Sequence, residues 1–446
     1  EQKQQREQLN MSIRDSSGWR DLAAFVETNG AQMDAENAVS ILQRLSFRPT
    51  RNYQRDAPSS NAAAFARPAA DAGAAAEYDR LLSTLLGWVL VLMPTFRPRQ
   101  VAACLSCLAK LELWNVEVVQ ALVDTSVRQM SAFEPSDLGT MMRAFLQLNY
   151  APSQAFIDEF MTRSIKKLPW MTAMELGRVA SGIASLGAVP TPEWAATFWS
   201  ASANKVADLT DVSSGDVLMA VAYFAQAGVQ PPQEWVDTFF GSYIAAAPEP
   251  GASAPEGAAA QAPARPPRYG SPRPGQPKVQ TINKLLYTLS NLTCKPKPQW
   301  FAAITAIWKR QFGYCSPSDF GNISLYLGRY LQVPVPADVS AALIREALKP
   351  PQRMGADDLA AIAYLCAISQ YQGTEKEIDD LVFLIKSKLE ECNITSLEMV
   401  YNALPGLGSG YRLNETVTEA ANRYNDLLAL QQGQAGTEVA PEAVSA

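Results

Sequence analysis

A repeating helical pattern constrains this chain more than any other feature of its sequence. The clearest copy is LGRVASGIASLG, Leu176 to Gly187, in which apolar and small residues recur at i, i+3, i+4 and i+7. This is the spacing of one helix face. Eight further copies begin at Ala38, Val101, Leu138, Val217, Ile282, Phe320, Leu359 and Leu397. Self-similarity at a fixed period indicates stacked repeats that share a continuous core.

The period of the pattern is about 38 residues. The interval from Val101 to Leu138 is 37 residues, that from Leu138 to Leu176 is 38, and that from Phe320 to Leu359 is 39. Two intervals are longer, at 63 and 65 residues, and each contains a low-complexity segment rich in alanine and proline. Because each long interval exceeds one period by about the length of its segment, we interpret these segments as inserts between repeats.

An earlier helix in each repeat has its own large apolar anchor. These anchors recur with nearly the same separations, at Val118, Phe156, Trp194, Trp235, Trp300, Val339, Ile378 and Val417. Prolines precede several anchors, and a proline at a helix start loses no intrahelical hydrogen bond. A hydroxyl residue with an acid three positions later, typical of a capping box, precedes the second helix at Thr172/Glu175, Ser213/Asp216 and Ser316/Asp319.

These patterns predict an all-α fold, a right-handed α-solenoid of about nine stacked two-helix repeats. We place the solenoid at residues 17–430, after an N-terminal extension at 1–16 and before a disordered tail at 431–446. The low-complexity inserts lie at about 56–76 and 247–276. A polar helix from Asn414 to Leu430 suits the cap of such an array.

Composition argues against an enzyme and against a cofactor. The chain has no histidine, which removes the commonest general base and the commonest zinc ligand. Cys104 and Cys107 form one C-x-x-C inside an apolar helical run, so we expect buried thiols rather than a metal or redox site. The apolar stretch from Leu81 to Met93 is too short to span a membrane and indicates a buried helix.

Three repeats open with a proline-rich motif that ends in tryptophan: PTPEW at Trp194, PPQEW at Trp235 and PKPQW at Trp300. Together with the period and the apolar second helix, these motifs resemble the octotricopeptide repeat family of green algae, over about residues 17 to 430. The repeats near Leu138, Leu359 and Leu397 fit the period but lack the tryptophan.

The resemblance implies an organellar RNA-binding protein without catalytic activity. It would act in RNA metabolism or translation, in a ribonucleoprotein assembly such as the mitochondrial ribosome, where it would bind or stabilise rRNA. The expected location is the mitochondrion, with the chloroplast stroma as the alternative, and the expected partners are organellar rRNA or mRNA and other proteins of the complex. The competing hypothesis is a protein–protein scaffold subunit that does not contact RNA directly.

RNA binding by a chain with a net charge of −6 requires a local basic surface. A basic residue recurs about ten positions after the first-helix anchor, and neighbouring bases extend the set of candidate phosphate contacts to Arg128, Lys166, Lys167, Lys205, Lys309, Arg310, Lys349 and Lys388. The alternative is that these charges only stabilise helix carboxy-termini. The proline-rich insert adds the basic candidates Arg265, Arg268, Arg273 and Lys278, although this segment also fits a plain flexible insert.

Overall fold

A computed structural model describes residues 2–47, 62–69, 71–203, 205, 211–245, 277–350, 353–408 and 411–435. These residues form helices and turns and contain no β-strand. The all-α prediction is therefore confirmed for this part of the chain. Two compact units are present, Glu1–Val229 and Gln230–Ala446, and each is described by itself.

In the first unit, helices that follow one another along the chain pack in neighbouring pairs. Its helices are α1 (Gln2–Asp15), α2 (Trp19–Asn29), α3 (Ala35–Leu45), α4 (Ala62–Phe65), α5 (Ala72–Leu92), α6 (Pro98–Leu111), α7 (Val116–Gln129), α8 (Pro135–Leu148), α9 (Gln154–Ser164), α10 (Ala173–Ser185), α11 (Pro192–Ala203) and α12 (Asp211–Gln226). The second helices of the repeats, α6, α8, α10 and α12, form the most closely packed layer of this unit.

The second unit has the same alternation. Its helices are α13 (Gln233–Ala245), α14 (Val279–Asn291), α15 (Pro298–Arg310), α16 (Pro317–Leu325), α17 (Ala337–Ala347), α18 (Ala356–Ile368), α19 (Glu375–Ser387), α20 (Ile394–Leu407) and α21 (Tyr411–Ala435). A π-helical turn, Tyr326–Tyr330, continues α16. Helices α14, α16, α18 and α20 pack in order, and α21 covers α20 and α19, so the packing is consistent with a helical repeat.

Two of the three predicted starts of second helices are confirmed, whereas α12 begins at Asp211, so that Ser213 lies inside this helix and is not its N-cap residue. Thr172 caps α10 in a capping box with Glu175, and Ser316 caps α16 with Asp319. The side chain of Ser213 lies outside the described residues. The first apolar residue of each second helix is buried, because the neighbouring second helices cover it; Leu138 and Leu359 are fully enclosed in this way.

The tryptophan anchors of the first helices are core residues, as predicted. Trp194 is fully buried, and its indole nitrogen donates to Ser164 Oγ at 3.0 Å. Trp300 is also buried, and its indole nitrogen donates to the main-chain oxygen of Phe240 at 2.8 Å. Each tryptophan therefore both fills the core and satisfies its polar atom on the preceding first helix. Their burial leaves them no face for stacking on a base.

Two kinds of turn connect the helices. Several first helices end in a 3₁₀ turn, such as Met130–Ala132 after α7 and Leu168–Trp170 after α9. Several second helices end on a left-handed residue: Glu112, Asn149, Gly187, Gly228, Gln332 and Gln370. The amide after this residue turns back to a carbonyl in the last turn of the helix, as Tyr150 does to Phe145 at 3.0 Å. This geometry accounts for the abrupt ends of these second helices.

The segments outside the repeats differ in part from expectation. The N-terminal extension contains α1, which packs on α3. Helix α5 begins at Ala72, inside the expected first insert, and includes the apolar stretch from Leu81 to Leu92, of which one face is buried. Helix α21 runs to Ala435, past the expected end at Leu430. Among the described residues, no helix has the length and hydropathy that a membrane crossing requires.

Candidate nucleic-acid interface

The recurring basic residues lie at or just after the ends of the first helices, several of them beside a 3₁₀ turn. In each unit we call this surface the turn edge; its described candidates are Arg128, Lys166, Lys167 and Lys205 in the first unit and Lys309, Arg310, Lys349 and Lys388 in the second. The periodic spacing thus places these residues at equivalent points of the repeat. The structure divides them into two groups, because some of their side chains bind main-chain atoms of a neighbouring repeat and others do not.

The first group forms a recurring contact between neighbouring repeats. A lysine or glutamine after the first helix donates to the main-chain oxygen two residues before the second helix of the preceding repeat. The donor–acceptor pairs are Gln129–Phe96, Lys167–Phe133, Lys205–Met171, Gln311–Pro277 and Lys388–Met354. These carbonyls lie in the turn, where no helical amide reaches them, so the side-chain amides and ammonium groups satisfy them. Three predicted phosphate contacts are therefore already bound to main chain.

The other members of the turn edge face solvent or polar neighbours. Lys166 and Arg310 are exposed. Arg128 donates to Thr125 Oγ1 at 2.8 Å. Lys309 pairs with Asp338 of the next first helix. Lys349, two residues after the end of α17, has its Nζ 3.4 Å from Glu346 Oε2 of that helix. The last two ion pairs offset positive charge locally, so Lys166 and Arg310 are the members best placed to meet a phosphate.

Most basic candidates of the insert cannot be placed on a surface. Arg265, Arg268 and Arg273 lie outside the described residues. Lys278 is exposed and is the N-cap residue of α14, without a side-chain capping bond.

A second surface, which the sequence analysis missed, is the outward face of three second helices of the first unit, α6, α8 and α10. Four positions in each of these helices share this face. One lies two residues before the first apolar residue, and the others lie two, five and nine residues after it. In α6, α8 and α10 these positions are Arg99, Ala103, Ser106, Lys110, Ser136, Thr140, Arg143, Gln147, Met174, Arg178, Ser181 and Ser185, and all are exposed or half-buried. We call this set the basic face.

The basic face carries four cations and no acid. Arg99, Lys110, Arg143 and Arg178 have no hydrogen-bond or ion-pair partner among the described residues. Burial lowers the pKa of Arg178, with a further lowering from the positive charge of Arg143. The negative charges of Glu175 on α10 and Asp216 on α12 act in the opposite direction and raise this pKa. Two like charges on adjacent helices are therefore held close enough to repel, which an anion between them would relieve.

The close approach of the helices brings these arginines together. A Cβ built on Gly139 would lie 3.6 Å from Cβ of Arg178 and 3.7 Å from the Cα of Glu175, so α10 lies directly on α8 at this point. At Gly182 the approach is closer still, since a Cβ there would lie 2.6 Å from Cβ of Met142. Small residues at the contact leave the long outward side chains on a narrow, continuous face.

In the second unit, the outward face of the second helices is aromatic in character. Its aromatic residues are Tyr287 on α14, Tyr326 and Tyr330 on the α16 extension, and Tyr364 on α18. The ring centroids of Tyr287 and Tyr326 are 5.8 Å apart, and those of Tyr326 and Tyr330 are 6.2 Å apart. We call these four residues the tyrosine row. Burial raises the pKa of Tyr326, so its hydroxyl stays protonated near neutral pH.

The comparisons with known proteins provide no independent identification. No protein-family model and no curated protein matches the chain. Among the described residues, no group of three or more histidine, cysteine, aspartate or glutamate side chains has the geometry to hold a metal ion. Cys104 and Cys107 are buried free thiols, as predicted. The function of the chain must therefore be inferred from the surfaces described above.

Proposed function

We propose that the chain is an RNA-binding helical-repeat protein without catalytic activity, acting as a component of an organellar ribonucleoprotein assembly such as the mitochondrial ribosome. The octotricopeptide-like motifs around Trp194, Trp235 and Trp300 support the organellar part of this proposal, with the chloroplast as the alternative location. A right-handed solenoid of about nine repeats belongs to the same proposal. In this role the protein binds RNA by charge and shape.

One observation carries the RNA-binding part: the basic face has four cations with no acid among its twelve positions. The chain has a net charge of −6, so a polyanion such as RNA could bind only where the surface is locally positive, and the basic face is such a surface. Arg143 and Arg178 lie at its centre, and arginine recognises phosphate through parallel hydrogen bonds. Lys166 and Arg310 on the turn edge are available for further phosphate contacts.

The proposal is tested by titrating the full chain against a single-stranded oligoribonucleotide, with fluorescence anisotropy, over a range of salt concentrations. Affinity should fall steeply with salt. The double variant Arg143→Gln/Arg178→Gln should weaken binding and flatten the salt slope by about 0.7 for each phosphate that is no longer neutralised. The matched control is Arg80→Gln/Arg163→Gln, which removes two exposed charges from first helices and should leave the slope unchanged.

A protein–protein scaffold is the second candidate function, and exposed tryptophans favour it. Trp170, in the turn after α9, is 82% exposed, and Trp114, in the turn between α6 and α7, is 52% exposed and lies 5.9 Å from the ring of Tyr150. Exposed tryptophans are typical anchors of protein interfaces. If the chain fails to bind RNA even at low salt, the scaffold function is the better explanation.

A further inference from the structure

The tyrosine row has an unusual origin in the sequence of its repeat. Most second helices that end on a left-handed residue have this residue eleven positions after their first apolar residue, as Gln370 follows Leu359. From Phe320 to Gln332 the separation is twelve. The extra residue is accommodated by the π-helical turn, Tyr326–Tyr330. Tyr326 and Tyr330 therefore lie where the described layer of second helices departs from α-helical geometry.

The helices beneath the row are packed closely enough to keep these rings half-buried or exposed. A Cβ built on Gly328 would lie 3.2 Å from Cδ1 of Tyr364 and 3.4 Å from the Cα of Leu365. The backbone of the π-turn therefore lies directly against α18, with the Tyr364 ring over it. Because the layer below is close-packed, the rings lie on its surface; Tyr330 is 52% exposed.

The rings of the row do not stack on one another. The Tyr287 and Tyr326 rings meet edge to face at 60°, and the Tyr326 and Tyr330 rings are tilted by 36°. All four rings are half-buried or exposed, and Tyr330 is the most accessible of them. The charges beside the row nearly cancel: Lys284 lies one helical turn before Tyr287, Asp357 lies two turns before Tyr364, and Arg329 pairs with Glu398 at 2.8 Å. The row is thus an aromatic surface of low net charge.

We infer that the tyrosine row binds the bases of an unpaired RNA strand by stacking. This inference rests on the proposed RNA-binding function. The basic face would bind the phosphates of the RNA, whereas the tyrosine row would bind its bases. Every base offers a flat apolar face, so aromatic side chains on a surface bind single strands without strong sequence preference. Paired bases are stacked within a duplex and cannot reach separate rings. The ligand class is therefore single-stranded RNA.

The test uses the full chain and two single-stranded oligonucleotides of equal length, one of uridine and one of abasic ribose phosphate. The wild-type chain should bind the uridine strand about tenfold more tightly or better, since each stacked base contributes about 1–3 kcal/mol. The triple variant Tyr287→Leu/Tyr330→Leu/Tyr364→Leu should lose this preference while its affinity for the abasic strand stays the same. The triple phenylalanine variant, which keeps the rings, should retain the preference.

Tyr314→Leu is the matched control, because Tyr314 is exposed in the turn after α15 and lies outside the row; it should retain the preference. Retained binding of the abasic strand shows that the leucine variant is folded.

If wild type binds both strands equally, or the leucine variant keeps the preference, the stacking inference is overturned while RNA binding stands. If wild type binds neither strand, the proposed function itself fails. A proline-rich peptide could also displace the uridine strand from wild type and fail to bind the leucine variant. That result would assign the row to a protein ligand instead.

Discussion

Lys167 Nζ lies 3.0 Å from the main-chain oxygen of Ser131 and also donates to the main-chain oxygen of Phe133, both in the 3₁₀ turn region of the preceding repeat. Lys205 makes the same pair of bonds to Pro169 and Met171, one repeat later. The ammonium group thus replaces the amides that the turn carbonyls lack. A side chain on one repeat completes the main-chain hydrogen bonding of its neighbour, so these lysines stabilise the stack of repeats.

We expect Lys167→Met to destabilise the protein, because it keeps the aliphatic stem and removes the donor. Removal of a charge-assisted hydrogen bond to partly buried carbonyls should lower the free energy of unfolding by about 2 kcal/mol. Lys166→Met is the matched control, since Lys166 is exposed and its replacement should change stability by less than about 0.5 kcal/mol. Urea denaturation followed by circular dichroism measures both, and equal effects would contradict the assigned role of Lys167.

The basic face and the turn edge can be compared directly as RNA-binding surfaces. The variant Arg99→Gln/Arg143→Gln/Arg178→Gln and the variant Lys166→Gln/Arg310→Gln/Lys349→Gln each remove three positive charges. We expect the first to weaken RNA binding more, and to reduce the salt slope more, because its cations form no ion pair among the described residues, whereas Lys349 pairs with Glu346. A larger effect of the second variant would instead place the phosphate track on the turn edge.

The left-handed ends of the second helices predict the effect of glycine substitutions. Gln370 has φ 54°, a conformation that costs a residue with a Cβ about 1 kcal/mol or more. We expect Gln370→Gly to raise the free energy of unfolding by about 1 kcal/mol. At Gly187, φ is 71° and a Cβ would meet nothing closer than the Tyr223 hydroxyl at 3.8 Å. Gly187→Ala should therefore destabilise by about 1 kcal/mol through its backbone alone, and thermal denaturation of both variants would show opposite signs.

The cysteines should differ sharply in reactivity. Burial raises the pKa of Cys366 to about 12 and that of Cys392 to about 11, and it raises the pKa of Cys104 well above its ordinary value. Because the thiolate is the reactive form, these thiols should resist alkylation near neutral pH until the protein unfolds. Cys294 is half-exposed and should react first. Mass spectrometry after brief iodoacetamide treatment identifies the labelled residues, and Cys294→Ser should abolish the early labelling; rapid modification of Cys366 would refute its burial.

The repeat period and the identity of the core were accessible from the sequence because both depend on local spacing. Apolar residues at helical intervals need a partner surface, so Leu138 and Leu176 had to be buried wherever the helices went. The tryptophan anchors followed from the same reasoning. The 39-residue interval between Phe320 and Leu359 also reflected the extra residue that the π-turn absorbs, although the interval alone does not indicate where in the repeat that residue lies.

The outward surfaces depended on tertiary structure. Lys166 and Lys167 are adjacent in sequence, yet Lys167 bonds to the preceding repeat and Lys166 faces solvent, because the path of the turn decides which side chain reaches the carbonyls. Arg143 and Arg178 are 35 positions apart and meet only because small residues let α8 and α10 approach closely. A periodic sequence specifies which residues repeat. How far apart neighbouring helices pack, and which side chains they leave facing outward, is set by contacts between repeats.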